Sequence, residues 1–195
     1  MNAIFSINLL IIVLIISCGE RNHDIQITGN RKIEMRKNAS EFMGKLKSVL
    51  IKQIKSEGML SAVAVFSDTV QILTNDFGLN KGVDIERVSF KNRSQNNVLN
   101  KFEEKVLKQF EQLESKSKLT PNTKHFEIIK ENDHQYLRYM KPIKISAACL
   151  RCHGTEEKIS AGVREVITKR YPDDKAVGYK NGDLRGAVSI KKLID

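Results

Sequence analysis

Tryptophan is absent from this 195-residue sequence and aromatic residues make up only 6% of it. A binding face built on tryptophan anchors is therefore excluded. Basic residues are missing from the start of the chain, where no Lys or Arg precedes Arg21, although Lys and Arg outnumber Asp and Glu by 33 to 23. The whole formal charge of +10 thus rides on the remainder. The sequence also lacks an internal repeat, a low-complexity tract, a βαβ unit, a helix-turn-helix or finger pattern, and any basic stripe interleaved with aromatics. These absences speak against nucleic-acid binding and leave a solvated basic surface, suited to acidic partners. Hydrophobic residues at 41% and charged residues at 29% are a globular composition, enough for one domain with a real core.

The beginning of the chain reads as an address. Leu9 to Ile16 is an apolar run too short to span a bilayer as a mature helix, and it ends in Ile15-Ile16-Ser17-Cys18, the pattern of a bacterial lipobox. The expected layout is a lipoprotein signal peptide over 1–17, a lipidated Cys18 with a tether over 18–33, and the domain over 34–195. Export to the cell envelope follows, as a periplasm-facing lipoprotein held at the membrane by its lipid. That compartment is oxidising, and disulfides form and persist there.

Along the body, Phe42, Leu46, Val49, Leu50 and Ile54 recur at helical spacing; Gly58 interrupts, and an apolar stretch from Leu60 to Leu73 predicts a second helix. Glu86 to Phe90 reads as a short strand. Leu99, Phe102, Val106, Phe110 and Leu113 form one helical seam. Two strands, His125 to Lys130 and Gln135 to Ile145, flank Asn132-Asp133 as a hairpin. A helix from Val163 to Arg170 stops before Tyr171-Pro172, and Leu184, Val188 and Ile190 mark a last strand. Few strands and segregated helices predict an α+β fold, an antiparallel sheet with helices on one side or end.

The chemistry concentrates in "ISAACLRCHGTEE", residues 145–157. Cys149 and Cys152 on one turn reach the two vinyl groups of a haem, and the imidazole of His153, following directly, lies under the iron as its proximal ligand. Three competitors use parts of this pattern. Two structural thiols or a disulfide need no histidine. A thioredoxin-like dithiol belongs early in a βαβ unit, whereas this motif comes late. Zinc needs four ligands, and only His125 or His134 remain, at spacings that fit no ribbon or finger. Together with the export signal, C-x-x-C-H points to one covalent haem c.

The surrounding residues carry a resemblance. "CLRCHG", then "YPDDKAVGYKNGDLRGAVSI", with "RVSFKNRSQNN" and "YMKPI" upstream, is similar to a bacterial family of single-haem c-type domains with a PAS-like fold, found alone or as the sensing part of signalling proteins. The likeness covers roughly residues 40 to 192. It implies a PAS-like antiparallel sheet packed by long N-terminal helices, with haem held by Cys149 and Cys152 and ligated by His153. Tyr171, Pro172, Asp174, Gly178, Tyr179, Gly182, Asp183, Arg185 and Gly186 match the closing motif. Within it Gly182-Asp183 is expected to turn the chain into the last strand, and Arg185 or Arg93 to neutralise a haem propionate.

Two departures stand out. Arg93-Ser94-Gln95 replaces the family's Arg-Asn-Pro. Phe66, in "SAVAVFSD", stands where family members often carry a cysteine that in some supplies the second axial ligand. Phenylalanine cannot ligate iron, so the sixth position is open, filled by water, or taken by Met140, Met59, Met35, Met43, His125 or His134. The general expectation is an exported monohaem cytochrome for electron transfer, steered to an acidic redox partner. A haem-based redox or gas sensor is the alternative, and it needs a signalling partner because no transmitter region exists in the chain. A peroxidase wants a distal acid and base that no spacing here supplies, so an enzyme ranks last.

Overall fold

The computed structural model describes residues 26–195; the apolar leader and Cys18 lie outside the described residues. Helix α1 (Gly29–Lys81) starts where the Thr28 side chain accepts the Arg31 N–H at 3.4 Å. Gly58, at φ 83° and ψ 174°, breaks it into two helical halves, as the sequence predicts. It closes on Gly82, whose left-handed φ of 61° lets its N–H reach the carbonyls of Gly78 and Leu79. The helix is longer than its periodicity indicates at both ends. Residues 29–33, expected as tether, are helical, and the second half continues past Leu73 to Lys81. Among the described residues no helix is long and apolar enough to cross a membrane.

Four strands form one antiparallel sheet in the order β1-β4-β3-β2: β1 (Asp84–Val88), β2 (His125–Glu131), β3 (His134–Lys144) and β4 (Leu184–Leu193). The hairpin between β2 and β3 turns on Asn132 and Asp133, both left-handed at φ 49° and 66°, residues that tolerate this geometry. Strand β1 lies earlier than the expected 86–90, because Ser89 leaves the ladder and its hydroxyl donates to the Arg185 carbonyl at 2.7 Å. Gly186 permits the close approach of β1 and β4: a Cβ there would lie 2.2 Å from the Val88 carbonyl oxygen.

Alternation along the strands sorts side chains between two layers. Leu137, Tyr139, Val188, Ile190 and Ile85 pack against both halves of α1, through Met35, Phe42, Leu46 and Phe77. Met140, Ala187 and Val88 point the other way, onto Val106, Leu107 and Phe110 of α2 (Lys101–Ser115). The fold is thus α+β, but its helices do not gather on one side: α2 covers the face opposite α1. The physical reason is that Leu137 and Tyr139 alternate with Met140, so both faces of β3 are apolar and both must be covered. A third cluster joins α4 (Ala161–Arg170) to the second half of α1 through Val63, Ile159, Val163 and Ile167.

A buried polar network ties α2 to the sheet. The Glu103 carboxylate accepts from Arg138 at 3.0 Å and from the Ser189 hydroxyl at 2.6 Å, and it also closes the α2 capping box with Asn100. Both charged side chains are about nineteen-twentieths buried (4% and 5% exposed), so each depends on the other for compensation. Arg138→Met alone, leaving Glu103 buried and unpaired, is expected to cost roughly 3–5 kcal/mol in urea unfolding, whereas the double change Glu103→Leu with Arg138→Met recovers most of it. Equal losses for the single and double variants would show that the pair is not coupled.

Candidate haem site

Strand β3 ends at Lys144, and the chain passes through a 3₁₀ turn at residues 147–149 into the single-turn helix α3 (Leu150–His153). This places Cys149, Cys152 and His153 on consecutive turns. Both cysteines are free thiols and half-buried. The Cys149 sulfur lies 3.2 Å from the Ser146 hydroxyl, and burial raises the Cys152 thiol above its ordinary pKa. Gly154 is required by packing: its N–H donates to Leu150 at 2.9 Å, and a Cβ would lie 2.5 Å from that same carbonyl oxygen.

His153 is oriented by backbone. Its Nδ1 lies 2.7 Å from the Ala176 carbonyl oxygen, a partner that can only accept, so Nδ1 carries the hydrogen and Nε2 keeps its lone pair. Burial, then the nearby Arg93 and Arg185, push its pKa down to about 3, which keeps the imidazole neutral. A metal needs the neutral ring as its ligand.

The segment carrying Ala176 is itself clamped. Asp174 accepts the Ala176 N–H at 2.8 Å with one oxygen and holds Arg93 at 3.0 Å with the other. Arg93 also donates to the Cys152 carbonyl at 2.6 Å. Gly178 and Tyr179 then donate their N–H groups to the carbonyls of Gly154 and His153, at 2.8 and 3.0 Å. Gly178 meets the bend with a φ of 78°. The Tyr179 ring stands edge-on to His153 at 6.4 Å, with Lys91 and Arg185 over it at 4.4 and 5.5 Å.

Arg185, entering β4, donates to the Lys91 carbonyl at 3.0 Å. Gly182, at φ 95°, and Asp183 make the turn into β4: the Gly182 N–H donates to the Ile145 carbonyl, and the Ile145 N–H donates to the Asp183 carbonyl, each at 2.8 Å. The sequence pattern overlooks one residue here. Arg87, on the α1 side of β1, is pushed down to about 10 by burial and by the like charges of Arg185 and Arg93. Its signal was its spacing of two from Ile85, visible only once the strand register is known.

The candidate sixth ligands scatter. Met140 is buried under α2, on the opposite face of the sheet, and Met35 and Met43 belong to the core against the first half of α1. His125 bonds Glu127 at 2.9 Å, and His134 bonds Asp195, both on the hairpin strands. Met59 shares a hydrophobic cluster with Cys152, while Phe66 packs against the main core. Among the described residues, no three His, Cys, Asp or Glu side chains converge as a metal cage.

Asp174 is the joint of this arrangement. Asp174→Ala removes charge-assisted hydrogen bonds to Arg93 and Ala176, and an expected cost of about 2–3 kcal/mol follows. Hydrogen exchange should locate the loss: the amides of Gly178 and Tyr179 exchange faster while those of β3 do not. Unchanged exchange at these two amides would contradict the role given to Asp174.

A comparison with curated proteins gives no match. Among solved structures, the crystal structure of the cyanobacterial heme-protein Tll0287 superposes with a TM-score of 0.58 at 19% identity, covering 86% of this chain and 94% of that one. The likeness shows that the two share a fold. A family model described as Tll0287-like matches residues 28–192, from the cap of α1 to the end of the sheet. The chain belongs to the Tll0287-like family.

Proposed function

We propose that this protein is an exported monohaem c-type cytochrome, a redox and electron-transfer protein anchored to the membrane by a lipid on Cys18. The reading rests above all on the His153 imidazole, whose Nδ1–H is committed to the Ala176 carbonyl beside two free thiols at C-x-x-C-H spacing. The heme-protein Tll0287 in the same family supports the choice of cofactor. Cys149 and Cys152 would hold the haem through thioethers and His153 would ligate its iron through Nε2. Bound haem supplies an iron that changes oxidation state by one electron.

The chain's own residues do the rest. The Ala176 carbonyl fixes the tautomer and makes the ring a better donor. The loop from Asp174 to Tyr179 is tied to the motif by the Gly178 and Tyr179 amides and by the Ala176 carbonyl on His153. The +10 surface favours an acidic redox partner. A second reading, a haem-based redox or gas sensor acting through a partner, is favoured by Phe66, which stands in the second half of α1 where family members often carry a cysteine and offers no axial ligand.

Spectra of the protein produced with a cytochrome c maturation system test both. Electron transfer predicts covalent haem, a low-spin spectrum, reversible one-electron reduction and no change under carbon monoxide. A high-spin ferrous form that takes up carbon monoxide moves the function to sensing. Absence of haem from the purified protein overturns both readings.

A further inference from the structure

The two halves of α1 fold back on one another at Gly58. The Phe42 and Phe77 rings lie 5.4 Å apart and Glu41 pairs with Lys81 at 2.7 Å. A straight helix would hold positions 42 and 77 roughly 50 Å apart. The halves therefore form an antiparallel helical hairpin, laid on the sheet through Met35, Phe42, Leu46 and Phe77. Its far side is apolar. Eight large apolar side chains are exposed among the described residues, and six of them belong to α1: Ile33, Ile51, Leu60, Val65, Ile72 and Leu79. Ile33 and Ile51 stand about five full turns apart, on one line of the first half. Val65, Ile72 and Leu79 recur every seven residues as one stripe along the second, with exposure reaching 59% at Ile72 and 83% at Leu79.

Charge divides the same face in two. Eight Lys and Arg lie between positions 31 and 55, and none lies between 56 and 80. Lys37, Lys47 and Lys55 are exposed one turn from Ile33 or Ile51, on the outer side of the first half. Asp76 is exposed one turn from Ile72, and Asp68 holds Arg170 beside the same stripe. A basic strip next to an acidic and apolar strip is complementary to itself. A two-fold axis parallel to the helices lays the first half of one copy over the second half of another, whereas an axis across them sets lysine against lysine. An anionic lipid surface would attract the first half and repel Asp68 and Asp76. At a rise of about 1.5 Å per residue and a helix spacing of about 10 Å, the face measures on the order of 700 Å² per copy, close to the roughly 800 Å² per partner of a stable interface.

We infer that the outer face of the α1 hairpin is the interface of a two-fold dimer of this chain. The assignment is independent of the haem reading. An axis parallel to the helices keeps each residue at its own height along the hairpin. Phe42 lies beside Phe77 within one copy, so Lys47 of one copy comes level with Ile72 of the other and within one turn of its Asp76. The stripe of Val65, Ile72 and Leu79 is then covered by the first half of the second copy, with lysines facing carboxylates at its margins.

Sedimentation velocity of the haem-loaded mature chain tests this, with Cys18→Ser to remove the lipid and a reductant to exclude interchain disulfides. At about 50 μM, a dissociation constant in the micromolar range gives the mass of two copies. Ile72→Lys with Leu79→Lys raises that constant about 100-fold or more, while far-UV circular dichroism stays unchanged. Lys47→Glu and Asp76→Lys each weaken the dimer about 10-fold, and the two together restore it, because the exchanged charges face one another again. Lys116→Glu, exposed beyond α2 on the opposite side of the sheet, leaves the dimer intact. A monomer at this concentration overturns the assignment, as does a dimer indifferent to Ile72→Lys with Leu79→Lys, or a charge exchange that restores nothing. A monomer that instead co-sediments with phosphatidylglycerol vesicles, and ceases to do so with Lys47→Glu, makes the face a membrane surface and overturns the dimer equally.

Discussion

One hydrogen bond organises the functional half of this molecule: the 2.7 Å contact between His153 Nδ1 and the Ala176 carbonyl. It decides which ring nitrogen is left for a metal, and it joins the single-turn helix α3 to a loop more than twenty residues away in sequence. The bond is only as rigid as the carbonyl that accepts it. Asp174 fixes that carbonyl by holding the Ala176 N–H, and Arg93 fixes Asp174 while reaching back to the Cys152 carbonyl. The circuit runs from the motif to the loop and back, so the ligand geometry exists before any cofactor arrives. Preorganisation of this kind limits the rearrangement that binding requires.

The sheet places the circuit. β3 delivers the motif, β4 begins with Arg185, and β1 carries Arg87, so three strands converge on one end of the domain. The close contact of Gly186 with Val88 draws β1 against β4. At the other end the Glu103–Arg138 pair secures α2 with charges that are mutually satisfied.

Much of this was legible in the sequence. The seam of α2, the break at Gly58, the Asn132-Asp133 hairpin and the C-x-x-C-H turn all follow from periodicity, turn chemistry or spacing, which are local properties. What was hidden is non-local. The strand at 84–88 was read two positions late, since Ser89 and Phe90 continue its alternation but are pulled from the ladder by a hydrogen bond to Arg185. Arg93 had no local reason to prefer Asp174 over a cofactor carboxylate, because the two lie 81 residues apart. Placement of α2 on the far side of the sheet likewise depends on which face Met140 takes, and that depends on register.

The central claim is that Cys149 and Cys152 carry haem covalently with His153 as its ligand. Intact-protein and peptide mass spectrometry after acid-acetone extraction test it most directly. The account predicts that the peptide spanning Cys149 to His153 retains the added mass of one haem after extraction. A peptide of unmodified mass, with two thiols or a disulfide between Cys149 and Cys152, would contradict it.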